Sequence, residues 1–192
     1  MGRFARPTIF VIWAIVFILG IWLISTYNGL TALRLRLQNA WRQVDVQLKR
    51  RYDLIPNLVE TVKGYMQYEQ DTLQKVIDAR SQAMASKGVK EAAEAQNALT
   101  QSLNMVFALM ENYPDLKASK NVLELQEELT TTENQIAFAR QYYNDLVTQY
   151  NTKQQIFPSN ILAGLFGFKP SEFFEVAESE KALPRVNLSL SR

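Results

Sequence analysis

Residues 122–150 read VLELQEELTTTENQIAFARQYYNDLVTQY. Within them Val122, Leu125, Leu129, Thr132, Ile136, Ala139, Tyr143, Leu146 and Tyr150 recur at alternating steps of three and four. Such steps lay one apolar stripe along a helix, the pattern of a coiled-coil seam. Three earlier stretches carry a similar period: Leu30, Leu33, Leu37, Ala40, Val44 and Leu48; then Leu73, Val76, Ile77, Arg80 and Ala83; then Ala92, Gln96, Leu99, Leu103, Val106 and Met110. No window alternates with period two for long enough to make a strand. The spacing therefore predicts an all-α fold, an elongated antiparallel bundle of about four helices with the first and last long.

The punctuation agrees with this reading. Lys87-Gly88 closes the second helix, with the glycine as a left-handed cap. Asn112-Tyr113-Pro114-Asp115 is a turn that opens the fourth. The first two helices join between Gly64 and Glu69. Pro56 falls inside the first helical pattern and should kink it or set a boundary near Asp53. At 1.5 Å per residue the outer helices span roughly 55–60 Å and the inner pair about 25–35 Å. The short pair then leaves part of the long seam uncovered, so self-association or a dedicated protein partner is expected through Leu37, Val44, Ile136 and Tyr143.

Ahead of the bundle, Thr8 to Ile24 reads TIFVIWAIVFILGIWLI and carries no charge. The run lies within the range of about 17–25 residues that crosses hydrocarbon. Ile9, Phe10, Trp13, Phe17, Leu19, Trp22 and Ile24 are its apolar bulk, and Trp22 and Tyr27 fall where interfacial aromatics are expected. The far end, IWLISTYNG, is a poor cleavage site, which favours an uncleaved single-pass anchor over a signal peptide. Arg3 and Arg6 on one side are nearly balanced by Arg34, Arg36 and Arg42 on the other, so charge alone does not orient the span.

Composition narrows the chemistry. The 192 residues hold 21 Lys+Arg and 19 Asp+Glu, with no Cys and no His. Absent Cys removes disulfides, zinc thiolates and thiol nucleophiles, and absent His removes the commonest general base and metal ligand. The near-neutral balance argues against nucleic acid. There is no glycine-rich phosphate loop and no Gly-x-Ser-x-Gly. No cofactor and no small-molecule substrate are expected, and the chain reads as a non-enzyme. Residues 25–68 are basic while 69–114 and 115–154 are acidic. That asymmetry suits side-by-side packing or contact with anionic lipid.

Two constellations stand out. The first is Lys49-Arg50-Arg51-Tyr52-Asp53-Leu54-Ile55-Pro56-Asn57. Arg50 and Asp53 are three apart and can pair along a helix. An arginine here can also reach a carboxylate of the fourth helix, with Glu127, Glu128 and Glu133 as candidates. Arg50, Arg51, Asp53, Pro56 and Asn57 therefore form either a structural ion network or a partner-docking site. The second is the short apolar run ILAGLFGF, residues 161–168, too brief to span. Ser159 or Asn160 would cap a small helix here. Ile161, Leu165, Phe166 and Phe168 either fold back on the bundle or form an interfacial foot on membrane lipids or a partner. Residues 170–192 read as a mobile or extended tail.

Residues 27–65, YNGLTALRLRLQNAWRQVDVQLKRRYDLIPNLVETVKGY, closely resemble the signature of the LemA family. ENYPDLKASKNVLELQEELTTTENQIAFARQYYNDLVTQYN, residues 111–151, and FPSNILAGLFGFKPSEFFE, residues 157–175, resemble it too. The resemblance implies a mainly helical bundle behind an N-terminal membrane segment and no established enzymatic activity. Many relatives place a lipidated Cys just before the Tyr-Asn motif, whereas Ser25-Thr26 stands here. The resemblance implies a bundle outside the cytoplasm on a bacterial inner membrane. One branch resembles proteins of magnetosome membranes, which implies a membrane-organising role.

The organisation expected is an anchor at 1–25, a bundle at 26–155, and a foot and tail at 156–192. The function expected is a membrane-anchored scaffold that self-associates or organises envelope partners. The other reading is a regulatory or sensory subunit docking a membrane protease or transporter.

Overall fold

A stripe at steps of three and four has to bury itself against other helices, and the computed structural model shows where it does so. It describes residues 5–66 and 68–175, with side chains from Ile9 onward. Arg3 and the tail beyond residue 175 lie outside the described residues. Among those described there are six helices and no strand: α1 (Ala5–Lys63), α2 (Gln70–Ala85), α3 (Val89–Met110), α4 (Pro114–Lys117), α5 (Lys120–Gln155) and α6 (Ser159–Leu165). The fold is all-α. The four helices expected from the spacing are α1, α2, α3 and α5, with α4 and α6 as short additions.

The apolar run and the first amphipathic pattern form one 59-residue helix. Its most apolar 18 residues have a mean hydropathy of 2.6, none of them is buried, and the helix is long and apolar enough to cross a membrane. Pro56 does not break it. Proline lacks the N–H that would bond the carbonyl four residues earlier, that of Tyr52. Arg80 Nε donates to this Tyr52 oxygen at 2.7 Å and replaces the lost bond. No boundary forms at Asp53, because the vacant acceptor is filled from α2.

Two expected caps also differ. Gly88 does have a left-handed backbone (φ 88°), but it precedes α3; α2 already stops at Ala85, with Ser86 extended. The Glu91 carboxylate accepts the backbone N–H of Lys87, the residue before the N-cap, at 2.9 Å. Neither Ser159 nor Asn160 caps α6. Ser159 is its first residue, and its hydroxyl donates back to the Ile156 carbonyl at 3.2 Å.

Among the described residues the chain divides into two compact units, residues 5–45 with 138–172 and residues 46–137 with 173–175; the division runs across α1 and α5, not at their ends. In the first unit, α1 buries Leu30, Leu37, Ala40 and Val44; α5 buries Tyr143, Leu146, Val147 and Tyr150; α6 buries Leu162 and Ala163. Trp41 packs on Tyr143 with ring centroids 5.4 Å apart. In the second, Leu48, Ile55, Leu58 and Val62 of α1 share the core with α2 (Leu73, Val76), α3 (Leu99, Leu103, Val106), Leu116 of α4 and α5 (Val122, Leu129, Ile136). Each such side chain contributes about 1.5–3 kcal/mol by leaving water.

Burial overturns one expectation. Leu37, Val44, Ile136 and Tyr143 are core residues of their own chain, so they offer nothing to a second one. The missing cover in the first unit comes partly from residues 170–172, the start of the segment read as a mobile or extended tail. Ser171 N–H donates to Asn151 Oδ1 and Asn151 Nδ2 donates to the Ser171 carbonyl, both at 2.9 Å. Tyr143 donates to the Glu172 carbonyl at 2.9 Å. These bonds lay residues 171–172 along α5, while Gly167, Lys169 and Pro170 line a cleft together with Leu37.

Candidate functional site

In the second unit the polar centre is Arg51. It lies three residues after Leu48 and four before Ile55, so its side chain follows the apolar stripe into the core and is only 4% exposed. A buried guanidinium is tolerated only when its donors find acceptors. Glu133 Oε2 lies 2.9 Å from Nη1. Gln96 Oε1 accepts from Nη1 at 3.3 Å and Thr100 Oγ1 from Nη2 at 2.9 Å. Gln96 turns its amide to the Tyr52 hydroxyl, which donates to the Ala83 carbonyl at 3.3 Å. Desolvation lowers the Arg51 pKa, and the fields of Glu133 and Tyr52 oppose it. One cluster thus ties α1, α2, α3 and α5 together in this unit.

Beside Arg51 a groove of about 280 Å³ is lined by Thr100, Leu103, Asn104, Phe107, Gln126 and Glu133, among others. Glu133 is 46% exposed along its side chain and already engaged by Arg51. A paired carboxylate is a poor general base. Among the described residues, no three of Asp, Glu, His or Cys converge to hold a metal ion. What the geometry shows is a buried guanidinium joined to one carboxylate and two neutral acceptors on α3 and α5.

The remaining residues of this constellation are placed as follows. Arg50, Asp53 and Asn57 are exposed and Pro56 is half-buried. The ion pair reaching α5 is made by Arg51, one residue beyond Arg50, because position 51 faces the core. Sequence reasoning did not single out Gln96, Thr100, Tyr52 or Arg80 as site residues. The available signal was a polar residue at a stripe position, as Gln96 and Arg80 both are.

The first unit holds the second constellation. Of the anchor residues Ile9, Phe10, Trp13, Phe17, Leu19 and Ile24 are exposed and Trp22 half-buried. Just beyond, Tyr27 meets Phe166 at 5.0 Å and Phe168 at 5.8 Å between ring centroids, both edge-on. Gly167 makes this return possible. It stands at φ 68°, past the end of α6. Phe168 N–H bonds the Ala163 carbonyl at 2.9 Å and Gly167 N–H the Gly164 carbonyl at 3.3 Å. That is the Schellman arrangement, which reverses the chain at a helix end. A groove of about 350 Å³ results, lined by Leu23, Ile24, Tyr27, Asn28, Leu162, Leu165 and Phe166. Ile161, Leu165 and Phe166 remain exposed around it while Phe168 is half-buried.

Comparison with known proteins covers both constellations. A model of the LemA family matches residues 40–188. Protein LemA of Metamycoplasma hominis is 28% identical over 150 residues, covering 76% of this chain and 67% of its own. Magnetosome proteins MamQ 1 and MamQ 2 of Paramagnetospirillum magneticum are each 24% identical over 179 residues, covering 80% of this chain and 66% of theirs. The chain thus spans about two thirds of the length of the curated relatives it matches. With the buried Arg51 network, α5 and the aromatic return at Phe168 all inside the matched stretch, the chain belongs to the LemA family.

Proposed function

We propose that this protein is a non-enzymatic, single-pass scaffold of a bacterial inner membrane, its helical bundle outside the cytoplasm, holding envelope or membrane proteins and further copies of itself. The observation that carries this reading is the continuity of α1. The largely exposed apolar residues 9–24 run without a loop into the stretch of the same helix that buries Leu30, Leu37, Ala40 and Val44. A partner bound to this unit is then held at a set height above the bilayer. The likeness to proteins named for the magnetosome supports a role in assembling membrane structures.

Phe138 and Tyr142, one turn apart on α5 and both exposed, are the places to test it. A photo-crosslinking residue at either position in living cells should give protein adducts. Adducts to lipid alone, or none, would overturn the scaffold reading. Labelling Lys87→Cys, unique in a chain without cysteine, with an impermeant thiol reagent on intact cells should modify it. Protection until the membrane is broken would place the bundle in the cytoplasm.

A further inference from the structure

Residues 154–168, QQIFPSNILAGLFGF, carry no charge and are bracketed by Lys153 and Lys169. The inward face of α6 is spent on the core through Ser159, Leu162 and Ala163. Its other side is not polar. Ile156, Phe157, Ile161, Leu165 and Phe166 are all exposed, Phe157 to 78% and Leu165 to 76%. So many large apolar side chains on one short segment, with only Asn160 and Gly164 exposed beside them on α6, mark a surface that is not built for water. The structure also gives the place of this surface. Leu165 and Phe166 line one groove with Leu23 and Ile24, the last residues of the apolar run in α1. The exposed apolar surface of α6 is therefore continuous with that of the span. Tyr27, an aromatic of the type that settles at headgroup level, lies between them.

We infer that residues 156–168 lie in the headgroup–acyl boundary of the leaflet from which α1 emerges, so that the chain grips the bilayer twice, by a span and by a foot. The inference rests on the membrane-anchored reading of α1. The occupant of the groove is lipid: its walls are almost wholly apolar, and it opens where acyl chains already surround Leu23 and Ile24. Lys153 and Lys169 bracket the foot as cations do when an apolar segment meets anionic headgroups. A span alone leaves a helix free to rotate about its own axis. A foot on one side of it fixes which face of the first unit looks along the membrane.

The chain has no cysteine, so single labels are unambiguous. Nitroxide labels at Leu165→Cys, Phe17→Cys and Tyr68→Cys are placed in the full chain, reconstituted in bilayers containing phosphatidylglycerol. Collision with oxygen, which prefers lipid, is compared with collision with a water-soluble nickel chelate. The expected result is a lipid-like ratio at Leu165, several-fold above that of the fully exposed Tyr68 and below that of Phe17 at mid-span. A Leu165 ratio equal to that of Tyr68, with Phe17 lipid-like, overturns the foot and leaves the anchor standing. A water-like ratio at Phe17 overturns the anchor itself. Low collision with both reagents at Leu165, together with spin–spin broadening that unlabelled chain dilutes away, would show a second copy in the groove and overturn the lipid assignment.

Discussion

Arg51 is an arginine written into an apolar stripe, and its acceptors decide whether that is tolerable. Glu133 is its one charged acceptor among the described residues, but it is half in water, so its removal should cost less than breaking a fully buried pair. Glu133→Gln is expected to destabilise the protein by about 1–3 kcal/mol in urea unfolding followed by circular dichroism. Arg51→Met, which keeps the volume and removes the charge, should cost less than Arg51→Ala, which also leaves a cavity. A loss for Arg51→Met as large as for Arg51→Ala would mean that the charge itself holds the helices. Tyr143 makes a different prediction. Burial, reinforced by Glu172, pushes its hydroxyl up to about 12, whereas an unfolded tyrosine ionises near pH ~10. The folded form holds this proton more tightly. Its contribution to stability is complete below about pH 10 and is lost as pH rises toward about 12. Tyr143→Phe should lower stability at neutral pH by about 1 kcal/mol and flatten the alkaline fall. An unchanged alkaline slope would assign that fall to other groups.

At the scale of elements, the informative positions are those where a local rule is broken and then repaired from elsewhere. Pro56 inside α1 is such a place: Arg80 of α2 supplies the bond that the proline cannot. The two residues should therefore be coupled. Arg80→Met is expected to cost about 1–2 kcal/mol in the native background and clearly less beside P56A, where the helix regains its own N–H. Equal costs in both backgrounds would mean that Arg80 does not stand in for the missing bond. Gly167 is the second place. Space around it is open, so only its left-handed backbone resists a side chain. Gly167→Ala should cost about 1–2 kcal/mol and loosen the packing of Phe168 on Tyr27, seen as a change in aromatic circular dichroism. The helical stripes were legible in the sequence because burial on one side forces a period near 3.6. The proline repair was not, because its donor sits on another helix; nor were the caps, because residue type alone does not say whether Gly88 closes α2 or precedes α3, or that Ser159 bonds back to Ile156.

For the molecule as a whole, the long-range question is what covers each apolar surface. Ile15→Lys with Phe17→Lys should strip the chain from the membrane fraction, since each charge at mid-bilayer costs about 2.5–3.5 kcal/mol. Retention in the membrane would give the foot a larger share of the anchoring than a short segment is expected to carry. Period and polarity determined, from the sequence alone, an all-α chain with one apolar end and four main helices, because these depend only on neighbours along the chain; its family was read from the resemblance of residues 27–65, 111–151 and 157–175. Which side chains meet was settled only by tertiary structure. Leu37 and Tyr143 look the same in sequence whether a second protein or the chain's own residues 169–172 cover them. Arg50 and Arg51 are equal as letters, and only the rotation of α1 turns one to water and the other to Glu133. Apolar spacing states that a face must be buried; the packing of the rest of the chain decides against what.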